Sequence, residues 1–166
     1  MASVWCRGSV VMAAALALGL GLSACARNNQ DLAAGGAGYG AAGPGSMQEF
    51  SQTVGDRVFF ETDQTNLTPT AQATLDKQAA WLNQYNRYTF TIEGHADERG
   101  TREYNFALGA QRAQAVHDYL GAKGVSASRM KTISYGKERP VAVCDDISCW
   151  SQNRRAVTVL NGAPAS

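Results

Sequence analysis

The side chains most able to do chemistry crowd into residues 93–112, which read EGHADERGTREYNFALGAQR. Acids and bases fill the first half of this stretch, and a helical pattern takes over in the second. Loops that lead from a strand into a helix are common sites, because the first backbone N–H groups of a helix point outward without partners. Asp97 stands in the loop, while Asn105 and Arg112 are seven residues apart, two turns along one helix face. Arg112 falls just beside the apolar stripe, so its guanidinium is expected to emerge at the sheet edge rather than be buried. Three chemistries compete for this cluster. Glu93, Asp97 and Glu98 could serve as the paired carboxylates of a hydrolase, but a general acid needs an apolar site that raises its pKa, and Arg99 and Arg102 adjoin these acids. His95 could bind a metal, but the only other histidine, His117, is 22 residues away and has no Cys or His one turn from it. The third chemistry is binding of a charged ligand. Taken singly, Asp97 and Asn105 read as caps, and Arg112 as a solvated side chain paired with Glu103 or Asp118; only their joint spacing suggests a site.

The surrounding sequence supplies elements that can position the cluster. Residues 57–60 (RVFF) read as a first strand. Thr68-Pro69 reads as an N-cap with Pro at the first helical position, opening a helix to about residue 85 that buries Ala71, Leu75, Ala79 and Leu82. Tyr88, Phe90 and Ile92 alternate with polar residues, as in a half-buried strand. A second helix, residues 103–122, is expected to bury Phe106, Ala110, Ala113, Val116 and Leu120 and to stop at Gly124. Residues 130–135 and 155–160 read as third and fourth strands. Strands alternating with amphipathic helices imply a two-layer α/β sandwich with a mixed four-stranded sheet.

Ahead of this module, expected over residues 50–162, the chain changes character. Residues 10–22 (VVMAAALALGLGL) are apolar and follow a single basic residue, Arg7. The run is too short to cross a hydrocarbon core, which needs about 20 residues, and it fits the apolar region of a signal peptide, residues 1–24. Leu22-Ser23-Ala24-Cys25 resembles the lipobox of bacterial lipoproteins, which implies a diacylated Cys25; two acyl chains give a stable membrane anchor where one does not. The next residue is Ala26 rather than Asp, which by the same resemblance implies sorting to the outer membrane, on its periplasmic face. Residues 25–49 are rich in Gly and Ala with no apolar periodicity and are expected to form a flexible tether; residues 163–166 are a short tail. The chain has 15 Lys and Arg against 14 Asp and Glu, a balance without the basic excess of a general nucleic-acid binder.

The segment GHADERGTxEYNxALGxxRA, followed by SYGKERP at residues 134–140 and NRRAV at 153–157, resembles the OmpA-like peptidoglycan-binding family, with its βαβαββ domain. The resemblance covers the whole module and, with the lipobox, extends to the lipoprotein branch that works in the Tol–Pal system. It implies a ligand, the meso-diaminopimelate of peptidoglycan stem peptides, whose side-chain end carries an ammonium and a carboxylate on one carbon. It implies that Asp97 receives the ammonium and Arg112 the carboxylate, through two parallel bonds that Lys could not make. Asn105 matches a polar position that contacts ligand or orients the loop, Asn66 and Leu67 match positions facing the peptide, and one of Arg154 and Arg155 is expected to line the groove. No cofactor or metal is implied. The further partner implied is the periplasmic protein TolB, competing with the wall, and the role is maintenance of the outer membrane and its invagination at division. Two other readings stay open: a lipoprotein that is only a protein-interaction hub, and a wall hydrolase. Cys144 and Cys149 are an even pair in an oxidising compartment and are expected to form a disulfide, stabilising by roughly 2 kcal/mol.

Overall fold

The computed structural model describes residues 43–162. The expected signal peptide, the lipidated Cys25, most of the expected tether and the C-terminal tail lie outside the described residues. The first element, α1 (Met47–Glu49), runs into one wide π turn, Phe50–Gly55. Then come β1 (Arg57–Phe59), α2 (Pro69–Gln84), β2 (Phe90–His95), α3 (Arg102–Ala122), β3 (Met130–Gly136), α4 (Ile147–Asn153) and β4 (Arg155–Leu160). The strand order is β1-β4-β2-β3, with β4 antiparallel to both neighbours and β2 parallel to β3. This is the mixed four-stranded sheet of the sequence reading. Parallel neighbours need a long crossover, and α3 supplies it between β2 and β3.

Local rules place α2 closely. Thr68 Oγ1 accepts from the Ala71 N–H at 3.2 Å with Pro69 at the first helical position. Its buried face holds Ala71, Leu75, Ala79 and Leu82, as expected, and also Gln78 and Trp81. Gln78 joins distant segments: its Nε2 donates to Gly55 O at 2.6 Å and its Oε1 accepts from Thr158 Oγ1 at 2.9 Å. Trp81 packs against Phe50, Tyr85 and Tyr88 and donates its indole N–H to Glu49. The carbonyl of Gly45 accepts from Tyr88 Oη at 2.8 Å. Residues 45–50 are thus packed on the domain, which begins ahead of residue 50.

The inward face of α3 differs from the sequence reading. Thr101 caps the helix, accepting from the Tyr104 N–H. Ala113, Val116 and Leu120 are buried as expected, together with Asn105, Leu108, Gly109 and Arg112, but Phe106 is 56% exposed and Ala110 is exposed. The cause is a glycine contact. A Cβ on Gly94 of β2 would lie 1.8 Å from the Gly109 carbonyl oxygen, so the two backbones touch and turn residue 109, rather than 106 and 110, toward the sheet. The same contact carries Asn105 and Arg112 inward.

Candidate ligand-binding site

The chemistry gathers where β2 ends. Gly94 pairs with Ser134 and His95 with Gly136, so the β2–β3 register shifts at this point, as bulges beside functional sites often do. Ala96 N donates to Gly136 O at 2.8 Å, and the chain turns through Asp97 toward the Thr101 cap. Asp97 is 7% exposed. Its Oδ1 accepts from the backbone N–H and Nε of Arg99, and its Oδ2 from Arg99 Nη2 at 2.7 Å and Arg154 Nη1 at 3.3 Å. Burial by itself would raise the pKa of this carboxyl, but the bonds from Arg99 and Arg154 outweigh it and hold Asp97 below the ordinary Asp range. The group therefore stays anionic at neutral pH, opposite to what a general acid requires.

Arg112 contradicts the expectation that its guanidinium emerges at the sheet edge. It is 0% exposed, and each of its three nitrogens donates to a backbone carbonyl: Nε to Gln64 at 3.0 Å, Nη1 to His95 at 2.9 Å and Nη2 to Glu61 at 3.1 Å. Its ring-facing side lies over Phe60, 5.2 Å from the centroid. Burial, then the neighbouring Arg154, lowers its pKa to about 10, so it remains charged at neutral pH. A charge this deep is held because each of its nitrogens has an acceptor. Arg112 fastens the loop after β1 to the end of β2, within the core beside the site.

Asn105 is 2% exposed and donates Nδ2 to the Arg99 carbonyl at 2.6 Å, so it orients the Asp97 loop. Arg154 lies in the cluster, donating Nε to Phe60 O as well as Nη1 to Asp97. Arg155 does not. It opens β4, where successive side chains take opposite faces, and it donates instead to the Asn153 and Arg139 carbonyls. Asn66 is exposed in the loop that Arg112 fastens, whereas Leu67 packs against the hydrophobic core. Glu93 sits beside the His95 ring, Nε2 to Oε2 3.7 Å, and Glu98 accepts from the Trp150 indole N–H; the three acids of the hydrolase reading thus have separate partners. Among the described residues no cluster of His, Cys, Asp and Glu could hold a metal ion.

Sequence reasoning passed over Arg99 as a mere neutralising neighbour. Its side chain is 40% exposed, which makes it the accessible guanidinium of the cluster. Tyr104, whose hydroxyl donates to Asp63 Oδ1 at 3.4 Å, and Trp150, whose ring lies 4.3 Å under the Arg99 guanidinium, were also missed. Position two after Asp97 was the available signal for Arg99; nothing in the sequence joins Trp150, 53 positions beyond Asp97, to the loop. A separate cleft of about 640 Å³, lined by residues that include Arg102, Phe106, Tyr135 and Glu138, contains none of Asp97, Arg99, Arg112 and Arg154.

His95 makes a testable contribution to stability. Its ring is 2% exposed, neither ring nitrogen has a hydrogen-bond partner, and it faces Arg155, Arg139, Glu93 and the Tyr135 ring. Burial first, then Arg155 and Arg139, lower its pKa to about 4. The unfolded chain, near pKa 6.5, therefore takes up this proton first, and stability falls as pH drops from 6.5 toward 4. The domain is expected to be about 2 kcal/mol less stable at pH 5 than at pH 7 on this account, and His95→Asn to flatten that slope in urea titrations at the two pH values.

A carboxylate held by two guanidinium groups thus stands at one end of a mixed four-stranded sheet packed against helices, the arrangement of a two-layer α/β sandwich. The profile of the OmpA family matches residues 59–154, and the chain belongs to that family. Within it, the chain belongs with the peptidoglycan-associated lipoproteins. It is 63% identical to the protein of that name from Rhizobium meliloti, over 95% of this chain and 90% of the relative. It is 59% identical to that of Brucella abortus, over 92% of each. The crystal structure of the peptidoglycan-associated lipoprotein from Burkholderia pseudomallei superposes with a TM-score of 0.64 at 39% identity, covering 67% of this chain and 96% of that one. The C-terminal domain of Helicobacter pylori MotB, at 21% identity and a TM-score of 0.61 over 66% of this chain and 86% of that one, shows the shared fold. No helix among the described residues is long and apolar enough to cross a membrane.

Proposed function

We propose that this lipoprotein holds the outer membrane to peptidoglycan without a covalent bond to the wall, by gripping the diaminopimelate of stem peptides. The observation that carries this reading is the Asp97 carboxylate, kept ionised just after β2 and bonded to an exposed guanidinium, Arg99. An ammonium and a carboxylate on one carbon complement that pair: the ammonium replaces Arg99 on Asp97, and the freed fork of Arg99 takes the carboxylate. Arg112 supports this exchange by fixing both loops. Asn105 holds the Arg99 backbone, and Asn66 stands on the rim.

The placement of the N-terminal residues supports an anchoring role. Gly45 is bonded to Tyr88, ahead of β2, whereas Asp97 follows its last residue. The chain therefore enters the domain at the end opposite the site, about 20 Å away for six strand residues. A tether from a lipidated Cys25 in the outer membrane then leaves the site free to face the wall. Modest affinity suffices, because many tethered copies meet a polymeric ligand at high effective concentration. Competition between the wall and TolB would let the Tol proteins mobilise the anchor at division. Co-sedimentation of the purified domain with sacculi tests the reading. Pelleting with intact sacculi supports it. Absence of pelleting, with capture of periplasmic proteins retained, would establish an interaction hub, and release of soluble muropeptides would establish a hydrolase.

A further inference from the structure

The segment between β3 and β4 closes a disulfide that the site does not obviously need. Cys144 and Cys149 are bonded, with Cα atoms 5.7 Å apart, and the bridge ties the segment before α4 to that helix's first turn. Two further constraints hold the helix. Asp146 Oδ1 accepts from the Ser148 N–H at 2.8 Å, capping it, and Asn153 Oδ1 accepts from the N–H groups of Val141 and Ala142 while its Nδ2 donates to Ala142 O. The residue next to Cys149 is Trp150. Its indole N–H donates to Glu98 Oε1, and its ring lies under the Arg99 guanidinium, 4.3 Å from the centroid. Arg99 in turn holds Asp97 through Nε and Nη2.

These contacts form one physical chain from the disulfide to the carboxylate. A guanidinium stacked on an indole is favoured by the ring's negative face and gives up little hydration. Stacking leaves the in-plane N–H groups of Arg99 free to bond a carboxylate. With its indole N–H fixed by Glu98, the ring also limits where Arg99 can go once a ligand ammonium displaces it from Asp97. The geometry points to Trp150 as the positioning residue of the wall-binding site, presented by the Cys144–Cys149 loop, so that the loop's oxidation state sets the affinity for stem peptides. The inference rests on the diaminopimelate reading above. It adds a redox dependence: a dithiol reductant is oxidised to its own disulfide while the Cys144–Cys149 bond takes two electrons and two protons to give two thiols, which leaves the first turn of α4 held only by the Asp146 cap and the Asn153 bonds and so loosens the Trp150 platform.

The test is a calorimetric titration of the oxidised domain with a diaminopimelate-containing tripeptide, beside Trp150→Ala, Trp150→Phe, the double variant Cys144→Ser/Cys149→Ser and the control Val143→Ser, whose parent side chain is 87% exposed. The Arg99 Nε–Hε resonance is recorded for each protein without peptide. The expected result is a loss of about tenfold for Trp150→Ala, recovery of most of it in Trp150→Phe, an intermediate loss in the double serine variant and none in the control. The Arg99 resonance should lose its ring-current shift in Trp150→Ala and part of it in the double serine variant. If wild type binds the tripeptide and Trp150→Ala binds equally well, the positioning role is wrong. Equal affinity of the oxidised protein and the double serine variant removes the redox dependence. A wild type that does not bind sinks the diaminopimelate reading itself, whereas a ring-current shift unchanged in Trp150→Ala overturns the stacking whatever the affinities.

Discussion

Asp97→Asn is expected to lower affinity for a diaminopimelate-containing peptide about 100-fold and to abolish co-sedimentation with sacculi, while the domain stays folded. The substitution keeps an oxygen that can accept from Arg154 and Arg99 but removes the charge that an ammonium needs. A hydrogen bond to a charged group contributes about 1.5–3 kcal/mol, and a hundredfold loss is about 2.7 kcal/mol. Asn is the informative change. Ala would strand Arg154, whose side chain is 6% exposed and has Asp97 as its counter-ion, and an unpaired buried charge costs about 3–5 kcal/mol. The pH dependence has a definite sign. Because the bonds from Arg99 and Arg154 prevail over burial and lower the Asp97 pKa, binding should persist through pH 5 and fade only as pH drops below the ordinary carboxylate range. Titration calorimetry at pH 5 and 7 reads this directly, and an Asp97→Asn protein that binds within threefold of wild type would show that the carboxylate is not the receptor.

Arg112→Ala is expected to destabilise the domain by about 4 kcal/mol, the scale of removing one partner from a buried charged arrangement. The carbonyls of Gln64, His95 and Glu61 lose their donor together, and the loop after β1 comes away from the end of β2. Arg112→Lys should recover less than half of the loss, because an ammonium cannot reproduce the spread of a planar fork. Urea unfolding midpoints measure both. The result separates two roles for this residue. A large loss of stability fits the strut that the geometry describes, whereas an Arg112→Ala domain of wild-type stability with no wall binding would return Arg112 to direct contact with ligand.

The elements themselves were legible because their signals are local. Thr68-Pro69 caps and starts α2 wherever the helix packs, and the alternation of Tyr88, Phe90 and Ile92 fixes which face of β2 is apolar. The pair Cys144 and Cys149 was likewise readable as a disulfide from its number and spacing. The site was legible only in part. Asp97, Asn105 and Arg154 come together as the motif implies, but Arg155 is turned away by strand alternation, Leu67 is turned into the core, and Phe106 and Ala110 are outside where a helical stripe placed them inside.

By itself the sequence determined the four strands, the two long helices between them, the loop in which the charges gather and the family to which the chain belongs, but not the short helices Met47–Glu49 and Ile147–Asn153. What it determined depends on residues a few positions apart, where periodicity and capping act. Tertiary structure alone decided that Arg112 is a buried strut, that Arg99 is the exposed guanidinium, and that Trp150 lies beneath it. The reason is that burial follows from which backbones can touch. Gly94 and Gly109 have no side chains to keep β2 and α3 apart, and Gly136 of β3 lets the helix backbone at Asn105 and Phe106 come close as well; these contacts set the rotation of the helix and the depth of Asn105 and Arg112.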